Sequence, residues 1–298
     1  DFGGRFASAS RSRPSCKMPV LEALWATRYI AALSFGMQWT VFALHAAPFQ
    51  SERLYDLTGS LTYTACFLSS LLANAKHNLA YAGERQQLVT ACLLIWSGRL
   101  GLFLYSRISR DGVDRRFNRM RTRPLLFLVA WNIQGLWVYL VGLPAYLLNT
   151  RSALPPPLTV VDALGLAVWA LGLSVQAVAD SQKSAFRKIT QNRDAYIDTG
   201  LWAISRHPNY LGEITLHSGL ALVAANGLPA GERTLAIVPP LFTAMLLLFV
   251  SGVPPLEKHA SAKWGHLPAY REYVARTGIL VPYPSSLLGA RTRKQKAK

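Results

Sequence analysis

The sequence predicts an all-α fold, a multi-pass transmembrane helical bundle of about seven spans. Of the 298 residues, 51% are hydrophobic and only 16% are charged, whereas a soluble domain carries about 25% charged residues. The net charge of +17 is concentrated in short connectors between long apolar stretches. This pattern is typical of helices that cross a lipid bilayer and are joined by basic loops on one side.

Seven stretches approach the length of about 20 apolar residues that a bilayer-spanning helix needs. The first two are the weakest, because Glu22, Arg28 and His45 lie at or within the first. Pro155-Pro156-Pro157 predicts a rigid turn before the fifth. The predicted spans are residues 24–47, 57–75, 86–106, 124–148, 158–179, 210–226 and 234–254.

Three basic connectors fall on the same side of the predicted membrane. They are residues 107–123, 180–208 and the segment after 255, and two spans separate each from the next. The positive-inside rule assigns that side to the cytosol or its equivalent. A basic protein can also bind nucleic acid. Here the basic residues lie between apolar spans, so we expect the partner to be the bilayer and not nucleic acid.

The chain divides into a central domain and two basic tails. Residues 1–20 are rich in Ser and Arg, residues 21–285 form the transmembrane domain, and residues 286–298 are a Lys/Arg-rich end. The last five residues match a Lys-x-Lys-x-x retrieval signal, which predicts the endoplasmic reticulum membrane, whereas the first tail indicates a mitochondrial or plastid membrane. The scattered Cys16, Cys66 and Cys92 predict neither a disulfide framework nor a metal site.

A polar stripe leaves the fifth span toward the basic side. Gln176, Asp180, Lys183 and Arg187 are separated by four, three and four residues, which places their side chains on one face of a helix. Two cations held on a rigid helix can bind an anion such as a phosphate. The alternative is an ordinary helix end whose long basic side chains reach toward water.

The motif Arg206-His207-Pro208-Asn209-Tyr210 precedes the sixth span. Proline disfavours helix at the preceding residue and suits the first turn of a helix, so we expect a helix to begin at Pro208. Its N-terminus favours an anion or a polar group. Glu213 follows one turn deeper, and an ionisable group at membrane depth indicates function. The plainer interpretation is an anchor at the helix start with a paired glutamate.

The segment after the seventh span combines charged and aromatic residues. Glu257, Lys263 and Tyr270 lie in it, together with Trp264 and Tyr273. An amphipathic segment of this kind either folds over a ligand or lies on the membrane surface. The pattern alone leaves both interpretations open.

These three blocks together resemble the membrane-embedded steroid and sterol reductases. Asp180-Ser181-Gln182-Lys183 with Phe186-Arg187 is similar to their Ser-Gln-Lys…Phe-Arg stretch, and residues 206–213 are similar to Arg-His-Pro-Asn-Tyr-x-Gly-Asp. The third block is similar to their Glu…Lys-Tyr-Gly…Tyr ending. The resemblance covers roughly residues 90–285 and is strongest to an uncharacterised steroid 5α-reductase-like membrane family.

The resemblance implies NADPH-dependent reduction of a carbon–carbon double bond in a membrane lipid, with a cofactor cup at the cytosol-like face. It assigns Tyr210 and Glu213 to proton delivery beside the substrate. The residues that it assigns to the cofactor are Gln176, Asp180, Lys183, Arg187, Arg206, His207, Asn209, Glu257, Lys263 and Tyr270. Hydride transfer would be the cofactor's own chemistry, which the protein positions.

One departure and two alternatives accompany this interpretation. Steroid 5α-reductases carry a Glu and a Tyr in early spans, and Trp96 lies near the position expected for that Tyr. The resemblance therefore does not extend to the residues with which those enzymes polarise the carbonyl of a 3-oxo steroid. Isoprenylcysteine carboxyl methyltransferases share a His-Pro-x-Tyr motif and use S-adenosylmethionine. The fold could also serve as a structural, lipid-binding subunit of a larger membrane complex.

Overall fold

The computed structural model describes residues 19–74, 82–151, 153–192 and 194–283. The Ser/Arg-rich residues 1–18 and the Lys-x-Lys-x-x ending lie outside these ranges. Within them the chain forms helices and no strand, apart from an isolated bridge between Ser205 and Gly278. The α-helices are α1 (Pro19–Ala26), α2 (Arg28–Val41), α3 (Ala47–Phe49), α4 (Tyr55–Asn74), α5 (Glu84–Asp111), α6 (Pro124–Asn149), α7 (Val160–Lys188), α8 (Pro208–Gly227), α9 (Val238–Met245), α10 (Val253–Trp264) and α11 (Pro268–Arg276).

In the part of the chain that the structure describes, five helical segments are long and apolar enough to cross a bilayer, and they indicate an integral membrane protein. They coincide with the first, third, fourth, fifth and seventh predicted spans. Two short π-helical segments join neighbouring helices, one between α2 and α3 and one after α9. The five segments are Arg28–Phe49, Glu84–Arg110, Pro124–Asn149, Val160–Lys188 and Arg233–Trp264.

The second and sixth predicted spans form helices but do not belong to those five. α4 and α8 are each 20 residues long, which is the length of a membrane crossing. Their composition sets them apart, because α4 carries Asp56 and α8 carries Asn209, Glu213 and His217. Glu213 and His217 are buried inside the bundle. Polar residues turned inward lower the apolarity of a helix without exposing charge to lipid.

An aromatic cluster fills the bundle between α4, α5 and α6. The rings of Tyr63, Trp96 and Trp137 meet nearly edge to face, with centroids 5.0, 5.1 and 6.1 Å apart. This geometry is favoured by the ring quadrupoles and adds stability beyond the buried area. Trp96 also contacts the ring of His217 on α8, at 4.7 Å between centroids. The cluster therefore fixes α8 against the early helices.

Four glycines bring α7 and α8 into direct backbone contact. Gly165 and Gly172 on α7 face Gly219 and Gly212 on α8. A Cβ atom at Gly212 would lie 2.6 Å from the backbone nitrogen of Gln176, closer than side chains tolerate. Small residues of this kind let membrane helices approach closely. The close approach places Gln176 beside Glu213.

Replacing Gly212 with Ala is expected to destabilise the protein by about 1–3 kcal/mol, because the new methyl group would force α7 and α8 apart. Gly98→Ala on α5 is the matched control, since a Cβ atom there would meet nothing within 4 Å. Alanine favours a helix over glycine, so the control should be neutral or slightly stabilising. Thermal unfolding in detergent micelles measures both, and equal effects would contradict the packing described.

Candidate functional site

A cavity of about 1330 Å³ opens at the end of the bundle where the basic connectors lie. Its wall is formed by one face of each helix from α4 to α10. Charged side chains surround the mouth, and the deeper wall is apolar and includes Leu100, Trp137 and Leu246. Pockets for a single small ligand have volumes of roughly 300–1,000 Å³. The cavity therefore has room for more than one small molecule.

The polar stripe of α7 lies along this cavity, as its helical spacing predicts. Gln176, Asp180, Lys183 and Arg187 all line the cavity. α7 has 29 residues, about 43 Å at 1.5 Å per residue, so it extends beyond a hydrocarbon core of about 30 Å. The last turns thus carry the two cations toward the mouth.

Asp180 joins three helices at the wall of the cavity. Its Oδ2 accepts a hydrogen bond from Arg99 of α5 at 3.0 Å, and its Oδ1 accepts one from Asn209 of α8 at 3.4 Å. The side chain of Lys183, one turn further on, lies 4.6 Å from the ring centroid of Trp202. Asp180 therefore positions Asn209 through this hydrogen bond. Lys183 lines the cavity one turn closer to the mouth.

α8 begins at Pro208, as predicted, and its first two turns face the cavity with Asn209, Tyr210 and Glu213. Glu213 lies deepest of the three and is only 6% exposed. Its Oε1 accepts a hydrogen bond from Trp96 Nε1 at 3.1 Å, and its Oε2 accepts one from Gln176 Nε2. Two N–H donors are the environment in which a buried carboxylate is stable. Trp96 thus holds a catalytic candidate.

Three predicted residues form a separate cluster beside the cavity and do not line it. Arg206 donates to Glu257 Oε2 at 2.5 Å, and His207 Nε2 lies 2.8 Å from Glu257 Oε1. Burial lowers the pKa of His207, and the hydrogen bond to Glu257 only partly opposes that shift. The cluster ties the connector before α8 to α10. Its effect on the cavity is to orient the start of α8.

The last predicted residues divide between the cavity and the helix behind it. Lys263 lines the mouth and donates to Asp194 Oδ1 at 2.5 Å. Tyr270 is buried away from the cavity, against Tyr196 and Trp264. Burial raises the pKa of Tyr270. Tyr270 therefore supports α10 and α11 and has no contact with the cavity.

The structure adds three arginines to the cavity that the site predicted from the sequence did not include. Arg107, Arg110 and Arg116 line the same mouth as Lys183 and Arg187. The sequence feature that could have indicated them is the arginine-rich connector 107–123. The positive-inside rule already explained that connector. With Lys263 they bring the lysine and arginine side chains at the mouth to six among the residues that the structure describes.

Acidic side chains hold two of these arginines in place. Arg107 lies 3.4 Å from Asp56 and 3.5 Å from Asp114, and Arg116 lies 2.6 Å from Asp114. Burial acts to raise the pKa of Asp114, but the hydrogen bonds and charge of Arg116 outweigh it, so the pKa lies below its ordinary value. The connector after α5 is thereby ordered at the rim of the cavity.

A family model described as "protein of unknown function (DUF1295)" matches residues 41–277. The chain belongs to this family. The match includes every cavity-lining residue of this DUF1295 protein. Among curated proteins and among solved structures, no match to the chain was found.

Two amide oxygens at the cavity of this DUF1295 protein lack hydrogen-bond donors among the described residues. Oε1 of Gln176 and Oδ1 of Asn209 are buried at the wall of the cavity and have no partner among the residues that the structure describes. The NH₂ groups of both residues already donate to carboxylates, which fixes the orientation of each amide. A buried acceptor without a donor is costly, so a ligand with N–H or O–H groups fits here. The described ranges contain no cluster of His, Cys, Asp and Glu suited to a metal ion.

Proposed function

We propose that the protein reduces a carbon–carbon double bond in a membrane lipid with NADPH. The observation that carries the proposal is the cavity itself, which joins a mouth with six basic side chains to a buried polar wall and an apolar interior. The phosphates of a dinucleotide need the basic mouth, and its nicotinamide needs the polar wall. A lipid needs the apolar interior. The similarity of the motifs to steroid and sterol reductases supports the same function.

The side chains present fit NADPH. Arg107, Arg116, Lys183 and Arg187 can hold the phosphates, because arginine and lysine bind phosphate by charge and hydrogen bonds. The unpaired oxygen of Asn209 can accept from the carboxamide NH₂ of the nicotinamide, and Gln176 offers a second acceptor. When bound, the cofactor supplies the hydride. Neither Glu257 nor Tyr270 contacts the cavity, so their proposed part is to fix the helices that do.

The side chains at the deep end of the cavity serve the other half of the reaction. Tyr210 lines the cavity and carries a hydroxyl that can pass a proton to the substrate. Glu213 lies one turn further along α8, held by Trp96 and Gln176. Its proposed role is to organise that proton transfer. The packed aromatic rings around Trp96 make this end of the cavity apolar.

The proposal includes the topology and the membrane. If α4 and α8 cross with the five apolar helices, the chain has seven spans and all three basic connectors face one compartment. The cavity mouth opens on that side, where NADPH is soluble, and the apolar interior lies at the depth of the lipid.

The double substitution Lys183→Ala/Arg187→Ala is expected to weaken NADPH binding at least tenfold, about 1.4 kcal/mol. Both side chains line the mouth, and removing them takes two positive charges from the phosphate site. The dissociation constant of purified protein in detergent, measured from NADPH fluorescence, tests this. S-adenosylmethionine should bind neither the wild type nor the double variant. It has no phosphate group for the six basic side chains to bind.

The matched control is Arg119→Ala/Lys188→Ala. These two residues are exposed and do not line the cavity, so the control loses the same net charge without touching the site. It should bind NADPH as the wild type does. Equal, tight binding by all three proteins would remove Lys183 and Arg187 from the site. Tight binding of S-adenosylmethionine instead would favour the methyltransferase, and binding of neither ligand would favour a structural role.

A further inference from the structure

Thr243 is a polar residue in a helix that is otherwise apolar. It is the only polar side chain between Leu235 and Val250. One side of this segment faces outward, with Leu241, Met245 and Phe249 exposed as lipid-facing residues are. Thr243 faces the opposite way, is only 2% exposed and lines the apolar part of the cavity beside Leu246 and Leu247.

The hydroxyl group of Thr243 has no hydrogen-bond partner among the described residues, and its oxygen is buried. A helical threonine ordinarily donates to the carbonyl four residues earlier. Thr40, Thr62, Thr64 and Thr215 all do so in this protein, at 2.7–3.1 Å. An unpaired hydroxyl in an apolar wall is unfavourable. Unlike these four, Thr243 leaves its hydroxyl group available to a ligand in the cavity.

We propose that Thr243 binds an oxygen atom of the lipid, so that the ligand class is oxo- or hydroxylipids and not plain hydrocarbon chains. This inference rests on the proposed function, since it names the lipid of the same cavity. A hydroxyl group can donate to a carbonyl oxygen or pair with a hydroxyl. A purely hydrocarbon segment would leave it unpaired. α9 contributes no charged side chain to the cavity, so the phosphates of the cofactor have no counterpart there.

The test compares lipids that differ only in one oxygen. Cholestan-3-one and cholestane form one pair, and 2-hexadecanone and hexadecane form a second. All four are saturated at carbon–carbon bonds, so binding is measured without reduction. Trp96, Trp137 and Trp264 line the cavity, and their fluorescence reports binding to the purified protein. We expect the wild type to bind the oxygenated member of at least one pair at least tenfold more tightly, about 1.4 kcal/mol.

Thr243→Val has nearly the same shape without the hydroxyl, and it should bind both members of that pair within about threefold of each other. Thr243→Ser restores the hydroxyl and should restore the preference. Thr64→Val is the matched control, because Thr64 already donates to Ser60 and does not line the cavity.

Three results would overturn the inference. They are a wild type that prefers no oxygenated lipid in either pair, a preference that survives in Thr243→Val, and a loss of preference that is as large in Thr64→Val. NADPH binding is measured on the same samples. If the wild type binds no NADPH but still prefers the oxygenated lipid, the proposed reductase function is rejected. The proposed role of Thr243 in binding lipid is then retained.

Discussion

Replacing Glu213 with Gln is expected to lower the rate of NADPH-dependent lipid reduction by at least about a hundredfold and to leave the fold in place. A positioned group that takes part in proton transfer contributes roughly 10²- to 10⁴-fold to a rate. The substitution keeps the shape of the side chain, and its oxygen can still accept from Trp96 Nε1. The amide of Gln176 can turn so that its oxygen meets the new NH₂ group. The negative charge is what is lost.

The rate is followed as NADPH oxidation with purified protein and a panel of sterol ketones, sterol alcohols and enoyl lipids. The lipid that the wild type reduces fastest is used for the comparison. Glu272→Gln on the exposed face of α11 is the matched control and should retain the wild-type rate. NADPH should still bind to both variants, because neither substitution alters the basic side chains of the mouth. A fully active Glu213→Gln protein would show that the carboxylate has only a structural role.

Helical periodicity was sufficient to predict one row of the side chains that line the cavity. The offsets of Gln176, Asp180, Lys183 and Arg187 determine one face once the segment is a helix, and α7 is continuous through all four. The start of α8 at Pro208 was equally local, because proline restricts the residue before it and suits the first helical turn. Both features depend on neighbours within a few residues of each other.

The rest of the cavity depends on contacts between helices that are distant in the sequence, and no local pattern encodes such contacts. Trp96 and Glu213 are 117 positions apart in the chain, and their hydrogen bond follows from how α5 packs on α8. The ion pair between Arg206 and Glu257 likewise withdraws both from the cavity. Thr243 gave no signal, because a single threonine in an apolar helix ordinarily bonds its own backbone. Its significance depends on a missing hydrogen bond, which only the structure shows.

The arginines of the mouth were explained by membrane topology, and their position at the cavity could not be predicted from the same pattern. The arginines of residues 107–123 satisfied the positive-inside rule, so their number required no further explanation. The structure shows that Arg107, Arg110 and Arg116 face the cavity, whereas Arg119 is exposed to solvent. Topology explains why the connector is basic. It does not explain why acidic residues such as Asp114 hold some of its arginines at the rim.

The second large effect is expected at the opposite end of the bundle, where Arg85→Met should lower the free energy of unfolding by about 3–5 kcal/mol. Arg85 and Asp162 form a buried ion pair at 2.7 Å, with side chains 1% and 2% exposed. Arg85 also donates to the carbonyl oxygens of Pro156 and Pro157 at 2.6 and 3.1 Å. Its removal leaves the buried carboxylate of Asp162 without its cationic partner, and the triple-proline turn loses its attachment to α5.

Asp162→Asn separates the charge from the geometry. Asp162 also accepts from the backbone of Thr159 at 2.7 Å and from Asn226, contacts that an asparagine oxygen can retain in part. The double variant Arg85→Met/Asp162→Asn should therefore be more stable than Arg85→Met alone, because no uncompensated buried charge remains. Arg276→Met, which breaks a surface pair with Glu272, should cost less than about 1 kcal/mol. Denaturant unfolding in micelles ranks the variants. A double variant less stable than Arg85→Met would show that the hydrogen bonds of Asp162 to Thr159 and Asn226 outweigh the cost of its uncompensated charge.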